Sequence, residues 1–134
     1  MKLINVGIIG LGVIGTRMAQ NMGVHPKFNI LGGYDNSEKK KSEFSNGFPE
    51  IKTYSSAEKL IRETELDLLY IGTPPASHAE YVKMSASRKL AIFCEKPLCV
   101  DDSQGSELVN IVESNKIFDA VNFVYSSSPA AEAA

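Results

Sequence analysis

The stretch VGIIGLGVIGTRMAQ, residues 6–20, passes from an apolar run to an amphipathic one through Gly10, Gly12 and Gly15, spaced G-x-G-x-x-G. The run that ends at Gly10 starts near Leu3 and is almost continuous, the pattern of a strand covered on both faces. Beyond Gly12, residues Ile14, Met18 and Met22 recur at i, i+4 and i+8 and predict the buried stripe of a helix. Such a loop either makes a tight turn or cradles a pyrophosphate, and the spacing alone is common to both. For the cradle the roles divide: Gly12 lets a ligand approach the backbone, and Gly15 lets the helix pack closely on the strand. The amides of Val13 and Ile14 would then face an anion from the positive end of that helix.

Working outward, apolar runs and amphipathic segments keep alternating. Residues 28–35 read as a second strand, and SEKKKSEFSNG as a short charged helix ended by Asn46-Gly47 and Pro49. Residues 51–55 predict a third strand, after which Ser55 and Glu58 form a capping box before a helix burying Ala57, Leu60 and Ile61. Residues 66–72 are a fourth strand, and the helix after TPPASH carries Ala79, Val82 and Ala86 on one stripe. Residues 90–95 are a fifth strand. Asp101 and Gln104 cap a helix whose Leu108, Ile111 and Val112 face the core, and residues 118–125 are a sixth strand. Alternation of this kind predicts an α/β fold: a doubly wound parallel sheet, the Rossmann fold, of about six strands with helices on both faces. Residues 1–125 then form one domain. The polar, small-residue stretch 126–134 reads as a disordered tail or as the start of a connection to a second domain.

Composition narrows the function classes. The chain has 134 residues, 43% hydrophobic and 22% charged, with 14 basic against 16 acidic side chains and a net charge of −2. That balance offers no concentrated positive charge for nucleic acid or an anionic membrane. No apolar run approaches the ~20 residues that span a bilayer, and the N-terminus becomes glycine-broken strand before any signal-peptide core. Cys94 and Cys99 lie five apart, a spacing that matches no common zinc or redox motif, so both read as packed thiols and no metal site is expected. A reducing cytoplasm is the expected location.

Asp35 bears on the choice between turn and cradle. It ends the second strand, twenty residues past Gly15, where a carboxylate accepts from adenosine ribose hydroxyls. The plainer alternative is an Asx-turn leading into NSEK. A carboxylate there repels a 2′-phosphate, and the next residue is Asn36, where NADP sites often place arginine. NAD is therefore favoured with NADP possible, and Lys39, Lys40 and Lys41 read as a solvated helix face.

Strands four and five end in GTPPASHAEY (72–81) and CEKPL (94–98), on the same sheet edge as the glycine loop. Thr73 offers a hydroxyl there, and Pro74 and Pro75 stiffen the loop without using backbone donors. Glu95 can accept from a ribose, and Lys96 can stabilise developing alkoxide charge or relay a proton. Singly, Glu95 and Lys96 could be a surface pair, and His78 could merely open a helix. Together GLGVIG, Asp35, TPPASH and EKP resemble the glucose–fructose oxidoreductase / inositol dehydrogenase / MocA family of NAD(P)-dependent oxidoreductases, from about residue 3 to 130.

The resemblance implies an assignment of roles. Gly10, Gly12, Val13, Ile14 and Gly15 would hold the pyrophosphate, Asp35 the adenosine ribose with Asn36 beside it among the cofactor-binding residues, and Thr73 with Pro74 the adenosine side. His78 would sit near the cofactor, Glu95 at the nicotinamide ribose, and Lys96 would serve both nicotinamide binding and catalysis. Substrates would be sugars, polyols or related hydroxyl compounds, oxidised by hydride transfer, and the complete protein would be a homo-oligomer. Pro75 departs from the asparagine many members carry, and Ser126 replaces a frequent arginine. Members continue for about as many residues again, so this chain reads as a nucleotide-binding domain inactive by itself. A sensor that binds NAD(P) without catalysis shares these features, whereas a methyltransferase does not account for EKP.

Overall fold

In the computed structural model, which describes residues 2–122, strand β1 (Ile4–Ile9) lies inside a parallel sheet between β2 (Phe28–Tyr34) and β3 (Leu68–Ile71). Val6, Ile8 and Ile9 have no exposed surface, as an apolar run sandwiched between two helical layers requires. Strands β4 (Ala91–Glu95) and β5 (Asp119–Asn122) extend the sheet, giving the order β2-β1-β3-β4-β5, all parallel. The order reverses between β1 and β3, and a crevice at the carboxyl ends of the strands is expected at such a switch point.

Helices α1 (Val13–Gly23) and α2 (Glu38–Gly47) place Ala19, Met22 and Phe44 against Val6, Ile8 and Tyr70 on one side of the sheet. Helices α3 (Ala57–Glu63), α4 (His78–Ser87) and α5 (Asp102–Ser114) pack Leu60, Val82 and Leu108 with Ile9, Leu69 and Ile71 on the other. Ala79, Val82 and Ala86 form the expected buried stripe of α4. Asp101 caps α5 by accepting from the Gln104 amide at 2.8 Å, while the Gln104 side chain accepts from the Val100 amide at 3.2 Å. Leu108 is buried as expected, but Ile111 and Val112 are only half covered.

Three expectations are corrected. The sheet has five strands, because residues 51–55 make a single bridge, Thr53 to Gly33, rather than a strand. Ile51 and Tyr54 bury their side chains in the cores on opposite sides of the sheet, and only one ladder pair fits between the turn at Pro49 and the next helix. With that segment counted beside β2, the order is the one typical of dinucleotide-binding folds. The cap of α3 is Ser56, whose Oγ accepts from the Lys59 amide at 3.1 Å, and not Ser55; burying Ala57 as the first helical residue moves the helix start along by one. The buried stripe of α1 is Gly15, Ala19 and Met22, leaving Ile14 exposed and Met18 half covered. That rotation follows from Gly15, which must face the end of β1. The final residues expected of the last strand (123–125), Ser126 and the 126–134 stretch lie outside the described residues. Among the described residues no helix is long and apolar enough to cross a membrane.

Candidate cofactor site

Gly10 closes β1 with φ of +93°, a conformation that glycine adopts without strain, and its amide donates to the Tyr34 carbonyl at 2.8 Å. A Cβ at Gly10 would lie 2.6 Å from the Gly72 carbonyl carbon, and one at Gly15 would lie 1.7 Å from the Gly10 oxygen. Both glycines are thus demanded by backbone packing. Gly12 differs: it is extended, it is the N-cap of α1, and a Cβ there would meet only the end of Lys40, at 3.8 Å. No side chain caps α1, and its first turn carries no acidic residue. The first-turn amides of a helix have no intrahelical acceptor. Those of Val13 and Ile14 therefore face a space that suits an anion, on the positive end of the helix dipole.

Asp35 is buried beside this loop. One carboxylate oxygen accepts from the Leu11 amide and the other from the Ser37 amide, each at 2.9 Å. The second bond is the Asx-turn foreseen in the sequence; the first ties the glycine loop to the end of β2. A carboxylate has about four acceptor sites, so two amides leave capacity for hydroxyl donors. Asn36 is exposed next to it. The lysines do not form one solvated face. Lys39 pairs loosely with Glu43 at 3.8 Å, but Lys41 is buried, bonded to Glu38 at 2.6 Å and 5.9 Å from the centroid of the Tyr34 ring. Lys40 turns to the site, its ammonium 4.0 Å from Asp35. With Arg17 and Thr16 it lines an open groove over Gly12. Helical phase separates these three adjacent lysines into three environments, so the solvated face expected of them is held by Lys39 alone.

At the far end of the same edge, β3, β4 and β5 bring Tyr70, Glu95 and Asn122 together. The Tyr70 hydroxyl and the Asn122 amide, the latter at 2.9 Å, both donate to Oε1 of Glu95. Burial and the neighbouring carboxylate push the Tyr70 hydroxyl far above its ordinary range, so it remains a donor at any physiological pH. Glu95 is therefore oriented by two partners on one oxygen. Lys96 follows it, exposed, and among the described residues no ion pair engages it. Thr73 and Pro74 lead from β3 into a single turn of 3-10 helix, Pro75–Ser77, and Ser77 Oγ donates to Thr73 Oγ1 at 2.7 Å. His78 has no exposed surface. Tyr70, Asn122 and Lys40 were not singled out from sequence; only the strand register reveals the first two.

Cys94 sits behind this edge, fully buried, whereas Cys99 is partly exposed. Burial, with a smaller contribution from Glu95, pushes the Cys94 thiol up to about 12, so it stays protonated and unreactive at neutral pH. Alkylation of the folded chain at pH 8 is expected to label Cys99 and spare Cys94 until denaturant is added. Peptide mass spectrometry checks this, and early labelling of Cys94 would contradict its burial.

The sequence matches, over residues 4–123, the family described as an oxidoreductase family with an NAD-binding Rossmann fold. It is 30% identical over 122 residues to the uncharacterized oxidoreductase YrbE of Bacillus subtilis, covering 91% of this chain and 36% of that protein. It is 28% identical over 118 residues to myo-inositol 2-dehydrogenase of Thermotoga maritima, covering 88% and 34% respectively. The crystal structure of myo-inositol 2-dehydrogenase from Lactobacillus plantarum superposes with a TM-score of 0.87, over 96% of this chain and 38% of that one, at 22% identity. The last is a likeness of fold. The chain spans about a third of the length of the curated relatives it matches.

Proposed function

The chain belongs to the glucose–fructose oxidoreductase / inositol dehydrogenase / MocA family and is an NAD-binding Rossmann domain, and we propose that it serves a dehydrogenase acting on a sugar or polyol hydroxyl. The observation that carries the cofactor half of this reading is the uncapped start of α1 at Gly12, tied through the Leu11 amide to the Asp35 carboxylate. An anion and a hydroxylated ring have adjacent, preformed partners there. The substrate class rests on the sugar and polyol dehydrogenases among the relatives, myo-inositol 2-dehydrogenase and D-xylose 1-dehydrogenase. A cytoplasmic location and a homo-oligomeric complete protein belong to the same reading.

In this assignment Gly10, Gly12 and Gly15 shape the loop, and the amides of Val13 and Ile14 hold the diphosphate. Asp35 and Asn36 take the adenosine ribose, and Thr73 and Pro74 border the adenosine side. Oε2 of Glu95 takes the second ribose, with Oε1 already held by Tyr70 and Asn122. When bound, the nicotinamide supplies a hydride acceptor for oxidation of a carbinol carbon. Lys96 would stand beside that ring on a flexible stem, its ammonium steadying the alkoxide at the substrate oxygen or its neutral amine accepting the hydroxyl proton.

Calorimetric titration of the chain with NADH and NADPH tests the reading. Saturable binding of NADH is expected, tighter than NADPH. No binding of either at millimolar concentration would overturn it. Asp35→Ala is expected to weaken NADH by roughly tenfold, the effect of losing a charged hydrogen-bond acceptor, and to narrow the preference over NADPH. Because Lys40 lies beside Asp35, the variant leaves a net positive pocket, and NADPH should lose least. Unchanged affinities for both would misplace the adenosine ribose.

A further inference from the structure

We infer that His78 is a positioning residue: buried between two loops, it clamps the end of β3 to the EKP loop and so sets where Glu95 and Lys96 stand, without touching the cofactor. The inference rests on the proposed reading of that edge as the nicotinamide end of the site.

His78 opens α4 with its imidazole wholly inside the protein. Nε2 lies 2.7 Å from the Thr73 carbonyl oxygen, and Nδ1 lies 2.9 Å from the Pro97 carbonyl oxygen and 3.3 Å from the Cys94 sulfur. Carbonyl oxygens only accept, so the ring is the donor to each loop it bonds. A proton on either nitrogen makes one of the two bonds, and protons on both make both. A ring with no exposed surface can act on a ligand only through what it holds.

What it holds is unequal. The loop after β3 has other fastenings: Gly72 donates to the Ile9 carbonyl at 2.8 Å, and Ser77 bonds Thr73 at 2.7 Å and the Pro74 carbonyl at 2.9 Å. The loop after β4 has few. Pro97 has no N–H to give, and the next bond along, from the Val100 amide to Gln104 at 3.2 Å, lies at the far end of the loop. On its upstream side Lys96 adjoins Glu95, fixed by Tyr70 and Asn122. On its downstream side the nearest polar fastening is the Pro97 carbonyl against His78, with Leu98 and Cys99 packed on the core beyond it. Releasing the ring therefore loosens the Lys96 backbone and leaves the glycine loop and Asp35, on other strands, as they were.

Two ligands separate these ends. NADH spans the whole edge, whereas ADP has the adenosine and diphosphate but neither the second ribose nor the nicotinamide. His78→Phe keeps an aromatic ring in the space and removes both ring nitrogens, and with them whatever the ring donates to the two loops; His78→Gln keeps an amide donor. The full chain and both variants are titrated with NADH and with ADP by calorimetry, with thermal melting run in parallel. We expect His78→Phe to weaken NADH roughly tenfold, to leave ADP within about twofold, and His78→Gln to fall between. Equal weakening of both ligands, or an unchanged NADH affinity, would overturn the clamp. Should His78→Phe not fold, the same comparison is decided by His78→Gln, for which an equal loss of both ligands counts against the clamp and a loss confined to NADH supports it. If the unaltered chain fails to bind NADH, the cofactor reading falls and the clamp with it. If the unaltered chain binds NADH and the variants do not discriminate, the clamp alone falls.

Discussion

Gly15→Ala is expected to unfold the domain or cost it about 4 kcal/mol or more, the exceptional end of single-substitution effects. The added Cβ would lie 1.7 Å from the Gly10 carbonyl oxygen, inside any permissible contact. The neighbour is backbone, and it cannot swing aside as a flexible side chain would. Gly10 in turn is fixed by its bond to the Tyr34 carbonyl and by its approach to Gly72. Relief would mean lifting α1 from the sheet, which exposes Ala19 and Met22. Domains of this size have only about 5–15 kcal/mol of net stability, so urea denaturation should show a much lower midpoint or no transition. Gly12→Ala is the informative contrast. Its Cβ would meet only the end of Lys40, so the melting temperature should hold while NADH binding weakens. A well-folded Gly15→Ala variant would mean that the strand-to-helix turn is looser than its geometry.

The second large effect concerns turnover. In a protein that joins this domain to a substrate-binding domain, Lys96→Ala is expected to lower kcat by roughly 10²–10⁴-fold, the usual contribution of a positioned acid–base group. Affinity for NADH should change by far less. The backbone before Lys96 is held by the pairing of Glu95 with Asn122 in the β4–β5 ladder, and after it the Pro97 carbonyl lies 2.9 Å from His78 Nδ1. Truncating the side chain therefore removes an ammonium and leaves the loop intact. Comparable losses in kcat and in NADH affinity would make Lys96 a binding residue instead. Single-turnover measurements with saturating cofactor distinguish the two.

Much of the fold was legible because its signals are local. The apolar run closed by Gly10, the buried stripe of α4 and the Asp101 cap each depend on residues a few positions apart. Less legible were features that two distant segments decide jointly. Residues 51–55 have a strand's composition, but the length left between a turn and a cap allows one bridge. The stripe of α1 was misplaced by one residue because periodicity favours Ile14, whereas backbone contact requires Gly15 to face inward. At the candidate site, Asp35 and EKP stand out from spacing and resemblance. Tyr70 and Asn122 could not, because they meet Glu95 only through the register of three parallel strands. Lys40 was hidden among its neighbours, since nothing in KKK says which lysine the helix turns toward Asp35.

The bridge at Thr53 also governs how the molecule meets others. β2 is an outer strand, and an outer strand with free amides and carbonyls is a template for foreign pairing. At Gly33 both groups are already engaged: the amide donates to the Lys52 carbonyl at 3.0 Å, and the carbonyl accepts from Tyr54 at 2.9 Å. Too short to count as a strand, this segment is long enough to act as a stopper, and the charged Lys52 side chain stands exposed on it. At that point on the margin, foreign strand pairing is blocked by one residue's pair of bonds.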